Sequence, residues 1–218
     1  MFNKFTYAII LLILSGCAST ENIPIDIAHI NATKPQTITT TIRVKPGFYA
    51  ETPGKVVLTA LFVNKIVAAG NEIIYENSVA DPAGYISNEL AEALSARLNL
   101  EKISNNGKIT YSPNLNLLSK AYSHSDLLLD IQTLYWGFTY FRADLNEYRV
   151  LYTARLRLVD TRSSITIAEG VCYRRPDQDE HSPSYAEMLS DEASWLKREL
   201  IVTADYCINE FKTNVLKI

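Results

Sequence analysis

Apolar and polar positions follow different rhythms along the chain, and each rhythm predicts a different element. Thr37 to Val44 is a β-branched run and reads as a strand. Pro46-Gly47 and Pro53-Gly54 punctuate the next stretch, after which Lys55 to Val67, rich in Val, Leu and Ile, reads as a second strand. Gly70-Asn71 then predicts a turn into a short strand over Glu72 to Tyr75. Ile86, Leu90, Leu94 and Leu98 recur at steps of four, which predicts an amphipathic helix over 82–99, started by Asp81-Pro82. Asn105-Asn106-Gly107 marks a turn, Lys108 to Ser112 a short strand, and Asn114 to Ser125 an irregular segment or short helix. Leu127 to Phe141 is apolar on both parities, as expected of a central strand. Tyr148, Val150, Tyr152, Ala154, Leu156 and Leu158 alternate with more polar neighbours, so this strand buries one face. Asp160 to Ser164 supplies turn chemistry and Ile165 to Tyr173 returns as the hairpin partner. Ser184 to Glu187 forms a capping box, and the apolar spacing beyond it predicts a long C-terminal helix broken once.

The expected order is β-β-α-β-β-β-α. Runs of strands rather than strict alternation with helices argue an α+β fold, with a mixed, mostly antiparallel sheet and two helices packed on one face. Residues 37–218 are expected to form one domain.

The N-terminus carries a different signal. Lys4 precedes the apolar run Ala8 to Leu14, which is far below the roughly 20 residues of a membrane-spanning helix. The run ends in Leu14-Ser15-Gly16-Cys17, which resembles the bacterial lipobox. That resemblance implies a signal peptide over 1–16, and acylation of Cys17 with diacylglycerol and palmitate. Ala18 after the Cys implies sorting to the outer membrane, facing the periplasm. Residues 18–36 are polar and non-periodic, with Pro24 and Pro35, and read as a flexible tether (17–36 with the lipidated Cys) holding the domain tens of ångströms from the membrane. The Asn31-Ala32-Thr33 sequon is read as fortuitous.

The balance of 47% hydrophobic and 21% charged residues excludes a disordered chain, and a net charge of −3 argues against a nucleic-acid partner. Once Cys17 is acylated, Cys172 and Cys207 remain as a pair. An oxidising envelope favours a disulfide between them, contributing roughly 3–4 kcal/mol. Two buried free thiols are the alternative. Neither Cys has a Cys or His at metal-ligand spacing, so no metal site is expected, and nothing calls for a cofactor.

Motifs for catalysis are missing. There is no nucleophile elbow, no phosphate-binding glycine loop and no His-Glu-x-x-His. Ser123-His124-Ser125-Asp126 contains triad residue types, but neighbours on one segment rarely converge on a common centre. Asp177-Gln178-Asp179-Glu180-His181 gathers oxygen ligands without the Gly and Glu of an EF-hand, and reads as a solvated acidic loop. His29 falls in the tether. The aromatic residues are more suggestive. Tyr135, Trp136, Phe138, Tyr140 and Phe141 crowd one strand, with Tyr148 and Tyr152 on the next, and Tyr and Trp favour interfaces. Arg142, Arg149, Arg155 and Arg157 are candidates for a cationic strip beside them. The competing reading makes the aromatics core and the arginines a solvated face.

Lipobox, polar tether and element order together resemble the small envelope-accessory lipoproteins. These include penicillin-binding-protein activators, curli-secretion lipoproteins and auxiliary lipoproteins of lipid transport. The resemblance is architectural and transfers no site residue beyond Cys17. It implies a non-enzymatic, membrane-anchored adaptor for another envelope protein. The alternative is a carrier with an apolar groove for a lipid or glycan.

Overall fold

The computed structural model describes residues 22–53, 59–105 and 107–218, with the side chains of the segment beginning at Thr59 described from Val63 onward. The lipobox with Cys17, and residues 55–58 of the expected second strand, lie outside these residues. The fold is α+β, around a mixed sheet in the order β4-β1-β6-β7-β8, with β3 also paired to β6. Its strands are β1 (Thr37–Thr40), β3 (Tyr49–Ala50), β4 (Glu101–Lys102), β6 (Leu127–Tyr140), β7 (Tyr148–Asp160) and β8 (Ile165–Arg174). β6, β7 and β8 run antiparallel, whereas β1 pairs in parallel with β4 and β6, and β3 runs parallel to β6. A separate parallel pair joins β2 (Ile42–Arg43) to β5 (Ile109–Thr110). As expected, β6 is central and β7–β8 is a hairpin.

Helices α3 (Ala83–Leu98) and α5 (Tyr185–Glu210) share one face of the sheet. Ile86, Leu90 and Leu94 of α3 join Leu196, Leu200 and Ala204 of α5 in the main core. Asp81 accepts the Ala83 N–H at 3.0 Å and so serves the start of α3. The capping box of Ser184 and Glu187 opens α5, and the helix breaks at Ser190–Ala193, where Asp191, Glu192 and Ala193 take left-handed angles. Short helix α4 (Leu115–Ala121), capped by Asn114, covers the opposite face and encloses Leu118, Tyr122, Leu128 and Val159 in a second core.

Two expectations are corrected. Thr59–Glu76 is a helix, α2, in place of a strand, a turn and another strand. Ile66, Gly70 and Ile74 are buried at steps of four, a helical period that outweighs the β-branched composition. Gly70 stands inside this helix because a Cβ there would lie 2.0 Å from the Phe48 carbonyl oxygen, so glycine lets α2 close against β3. Second, residues 22–36 are no free tether. Ile23 bridges Glu169 of β8 in both directions, Ile25 donates to Val215 and Asp26 to Ile167. Ile27–Thr33 then forms helix α1, which buries Ile30. A polar composition concealed this segment because Ile23, Ile25, Ile27 and Ile30 are too sparsely spaced to announce an element.

Candidate functional site

Strand β6 explains its own two-sided hydrophobicity. Thr133 pairs with Ala154 and Tyr135 with Thr153, so Leu134 is an extra, bulged residue. A bulge exchanges the faces of everything beyond it. Leu127, Leu129 and Ile131 are core before the bulge; Trp136 and Phe138 are core after it. Their rings meet Phe48 edge-on, at 4.9 Å for Trp136 and 5.7 Å for Phe138. The proposed interaction patch is therefore corrected in its larger part. Trp136, Phe138 and Phe141 are buried, and only Tyr135 and Tyr140 are half-exposed. Tyr135 stacks on Tyr49 at 4.8 Å, and burial pushes its phenol up.

The arginines of β7 do not form a free cationic strip, because their cross-strand neighbours supply acceptors. Arg157 lies opposite Asp130 and donates to its Oδ2 at 2.8 Å, while Arg43 reaches the same oxygen at 2.7 Å. Thr41 Oγ1 donates to Asp130 Oδ1 at 2.8 Å. Burial alone would raise the Asp130 pKa, but the two guanidinium groups outweigh it and hold the carboxyl below its ordinary value. Arg155 donates to Gln132, opposite it in the register. Arg149 lies over the Phe141 ring at 4.7 Å and donates to the Pro176 carbonyl. Arg142 is exposed.

Cys172 on β8 and Cys207 on α5 form a disulfide, with Cα atoms 5.5 Å apart. The triad-like segment disperses. Ser125 Oγ donates to the Leu127 carbonyl, Asp126 accepts the Gln36 and Thr37 N–H groups, and His124 is exposed beside Tyr122. His181 and Glu180 project into solvent, and His181 lines a cleft of about 220 Å³ together with Arg149, Trp195 and Glu199. Among the described residues, no group of three His, Cys, Asp or Glu side chains is arranged to hold a metal ion.

The surface feature that sequence reasoning missed is a furrow at the N-terminal end of α3. Three clefts adjoin there. One of about 300 Å³ runs past Lys45, Pro46 and Tyr75. The next, about 220 Å³, shares Lys45 and reaches Asp81 and Gly84. The third, about 380 Å³, continues from Asp81 and Gly84 between Val79, Tyr85, Lys197 and Ile201. Trp136 holds the Lys45–Pro46 side in place: its Nε1 donates to the Pro46 carbonyl at 2.8 Å, and the Lys45 ammonium sits 5.6 Å above its ring. Asp81 is the furrow's central polar group. Thr133 Oγ1 donates to it, the Tyr152 hydroxyl lies 3.0 Å from the same Thr oxygen, and burial raises the carboxyl's pKa despite these bonds and nearby Lys45. Ile42, Tyr75, Tyr85 and Ile201, which line these clefts, are all exposed. The chain Asp81–Thr133–Tyr152 fixes side chains in place, and the arrangement as a whole suits binding: apolar walls with lysines at intervals.

No protein-family model matches the sequence, and no curated protein sequence matches it. Solved structures give partial superpositions. The lipoprotein GNA1162 of Neisseria meningitidis is 14% identical, with 83% of this chain and 100% of that chain covered and a TM-score of 0.30. A Helicobacter pylori homologue of a neuraminyllactose-binding hemagglutinin is 10% identical over 81% of this chain and 87% of that one, with a TM-score of 0.32. The PelC dodecamer of Paraburkholderia phytofirmans is 9% identical over 78% and 85%, with a TM-score of 0.29.

Proposed function

We propose that this protein is a lipid-anchored, non-enzymatic component of the bacterial envelope, and that it binds another envelope protein through the furrow at the start of α3. The observation that carries this reading is the furrow itself, three adjoining clefts lined in part by exposed Ile42, Tyr75, Tyr85 and Ile201. Exposed apolar side chains gathered in one place mark interaction sites. Lys45 and Lys197 along the walls favour a partner segment that is apolar with acidic residues at intervals. The lipobox-like Leu14 to Cys17 supports the anchor, and the Cys172–Cys207 disulfide suits an oxidising compartment. Tethering on one membrane would raise the effective concentration for a partner on the same surface.

The carrier alternative is less well supported. The furrow's adjoining clefts, of about 220, 300 and 380 Å³, lie open along the surface, whereas ligand pockets of roughly 300–1,000 Å³ bury most of their ligand. A photo-crosslinking side chain introduced at Tyr85 and at Tyr75, in the lipidated protein within its own envelope, tests the proposal. The expected result is a discrete protein adduct at both positions. Adducts to lipid alone would favour the carrier, and the absence of any adduct would overturn the furrow as a binding site.

A further inference from the structure

The docked N-terminal segment has a consequence for how the domain sits on its membrane. Asn22 is held at the edge of β8, where its side-chain oxygen accepts the Val171 N–H at 3.3 Å. Ile23 exchanges backbone hydrogen bonds with Glu169 at 2.7 and 2.9 Å, and Asp26 donates to Ile167 at 2.9 Å. The strap therefore runs antiparallel to β8, and the chain upstream of Asn22 leaves from the Val171 side. Only five peptide steps separate Cys17 from Asn22, which bounds the leash at roughly 18 Å even if fully extended. A free tether reaching to Thr37 would have allowed roughly 70 Å.

We propose that the strap turns the Val171–Tyr173 end of β8 toward the phospholipid surface, so that this end of the domain rests against the lipid headgroups. The proposal rests on the lipid anchor at Cys17. The side chains at that end fit such a surface. Tyr173 is 55% exposed, Ile23 50% and Tyr206 38%. Arg174 lies over the Tyr206 ring at 4.8 Å. Tyr and Arg each combine an apolar body with a polar tip, the combination that suits the headgroup region. β8 runs from Ile165 to Arg174, so its two ends stand roughly 30 Å apart. Ile165, 50% exposed at the opposite end of β8, would then face away from the membrane.

Spin labels test this on the full lipidated chain bound to vesicles of phosphatidylethanolamine and phosphatidylglycerol. Labels are placed at Tyr173→Cys and, separately, Ile165→Cys, and their collisions with membrane-soluble oxygen and an aqueous nickel chelate are compared. The label at 173 is expected to show a several-fold higher ratio of oxygen to nickel collisions than the label at 165. A ten-residue Gly-Ser insertion after Glu21 should erase that difference while leaving the protein on the vesicles. Equal ratios at 173 and 165 without the insertion would overturn the orientation but leave the anchor intact. If the lipidated chain does not bind vesicles at all, or if Cys17→Ser binds them equally well, the anchor reading itself fails and the orientation with it.

Discussion

Gly70 of α2 stands directly beneath the backbone of Phe48, where a Cβ would lie 2.0 Å from the carbonyl oxygen and 2.7 Å from the carbonyl carbon. The next residue completes the junction, since Asn71 Oδ1 accepts the Phe48 N–H at 3.0 Å. Together they dock β3 onto the helix without a side chain between them. On helix propensity alone, Gly70→Ala should stabilise by about 1 kcal/mol. The contact is with backbone, which cannot rotate aside, so we expect the opposite sign: destabilisation of about 1–3 kcal/mol from overpacking. Denaturant unfolding of the Gly70→Ala protein decides, and a stability equal to or above wild type would remove the close approach.

The same junction explains what the sequence could and could not reveal. Gly70-Asn71 has the composition of a turn, and only the burial of Ile66 and Ile74 one helical turn to each side shows that the pair lies mid-helix. Elements with a strong single period were legible, among them α3 with its stripe of four, the alternating β7 and the capping box of α5. The two apolar parities of β6 were legible as a central strand. The reason for them was not, because the bulge at Leu134 leaves no compositional trace. The disulfide was legible from a count of cysteines. The furrow was not, since Lys45, Tyr75, Asp81, Tyr85 and Ile201 are brought together by four separate segments, none with a motif.

Asp130 is the charge on which the second face of the sheet is built. Its side chain is wholly buried, bridging Arg43 of β2 and Arg157 of β7. Those guanidinium groups are held in turn by the Ser112 and Pro113 carbonyls. Removing one partner of a buried ion pair strands the other, at a cost of about 3–5 kcal/mol. Asp130→Ala is therefore expected to unfold at markedly lower denaturant, whereas Arg155→Ala, which loses a single bond to Gln132, should cost far less. Similar losses from the two substitutions would show that Asp130 is not the bridge. The Asp130 carboxyl titrates below its ordinary range in the folded chain. Its contribution is thus complete above the unfolded pKa of about 3.9 and declines as pH falls through the depressed folded value.

Cys172 and Cys207 fasten the last strand of the hairpin to the last helix, and both are buried. Cross-linking restricts the unfolded chain, so losing the bond should cost about 2–5 kcal/mol. Cys207→Ser is expected to lower the denaturation midpoint by that amount, and reduction of the wild-type protein should reproduce most of the loss. Thiol labelling of the denatured, unreduced protein provides the direct check. Stoichiometric labelling of both cysteines would rule out the bond.

His29 fixes the strap to the hairpin. Its Nε2 lies 2.7 Å from Asp160 Oδ2, and the other Asp160 oxygen accepts the backbone N–H of Arg162 at 2.9 Å. Asp26 caps α1 from below through the His29 N–H, and Arg162 reaches the Thr33 carbonyl at its far end. Burial alone would raise the Asp160 pKa; the His29 bond and the backbone donors outweigh it and hold the carboxyl below its ordinary value. The stabilisation it provides is therefore present in full above about pH 3.9 and is lost as pH falls through the lowered folded pKa. Substituting His29→Ala removes the largest of the stabilising contacts on that carboxyl. Its pKa should then rise toward the ordinary value, and acid unfolding should begin at higher pH than in the wild type. The strap should also loosen. Amide exchange at Ile30 and Lys34, whose N–H groups close the turns of α1, is expected to accelerate at neutral pH while the amides of β6 and β7 stay protected. Unchanged exchange at Ile30 and Lys34 would mean that Ile25, Ile30 and the bridge to β8 hold the strap without the histidine.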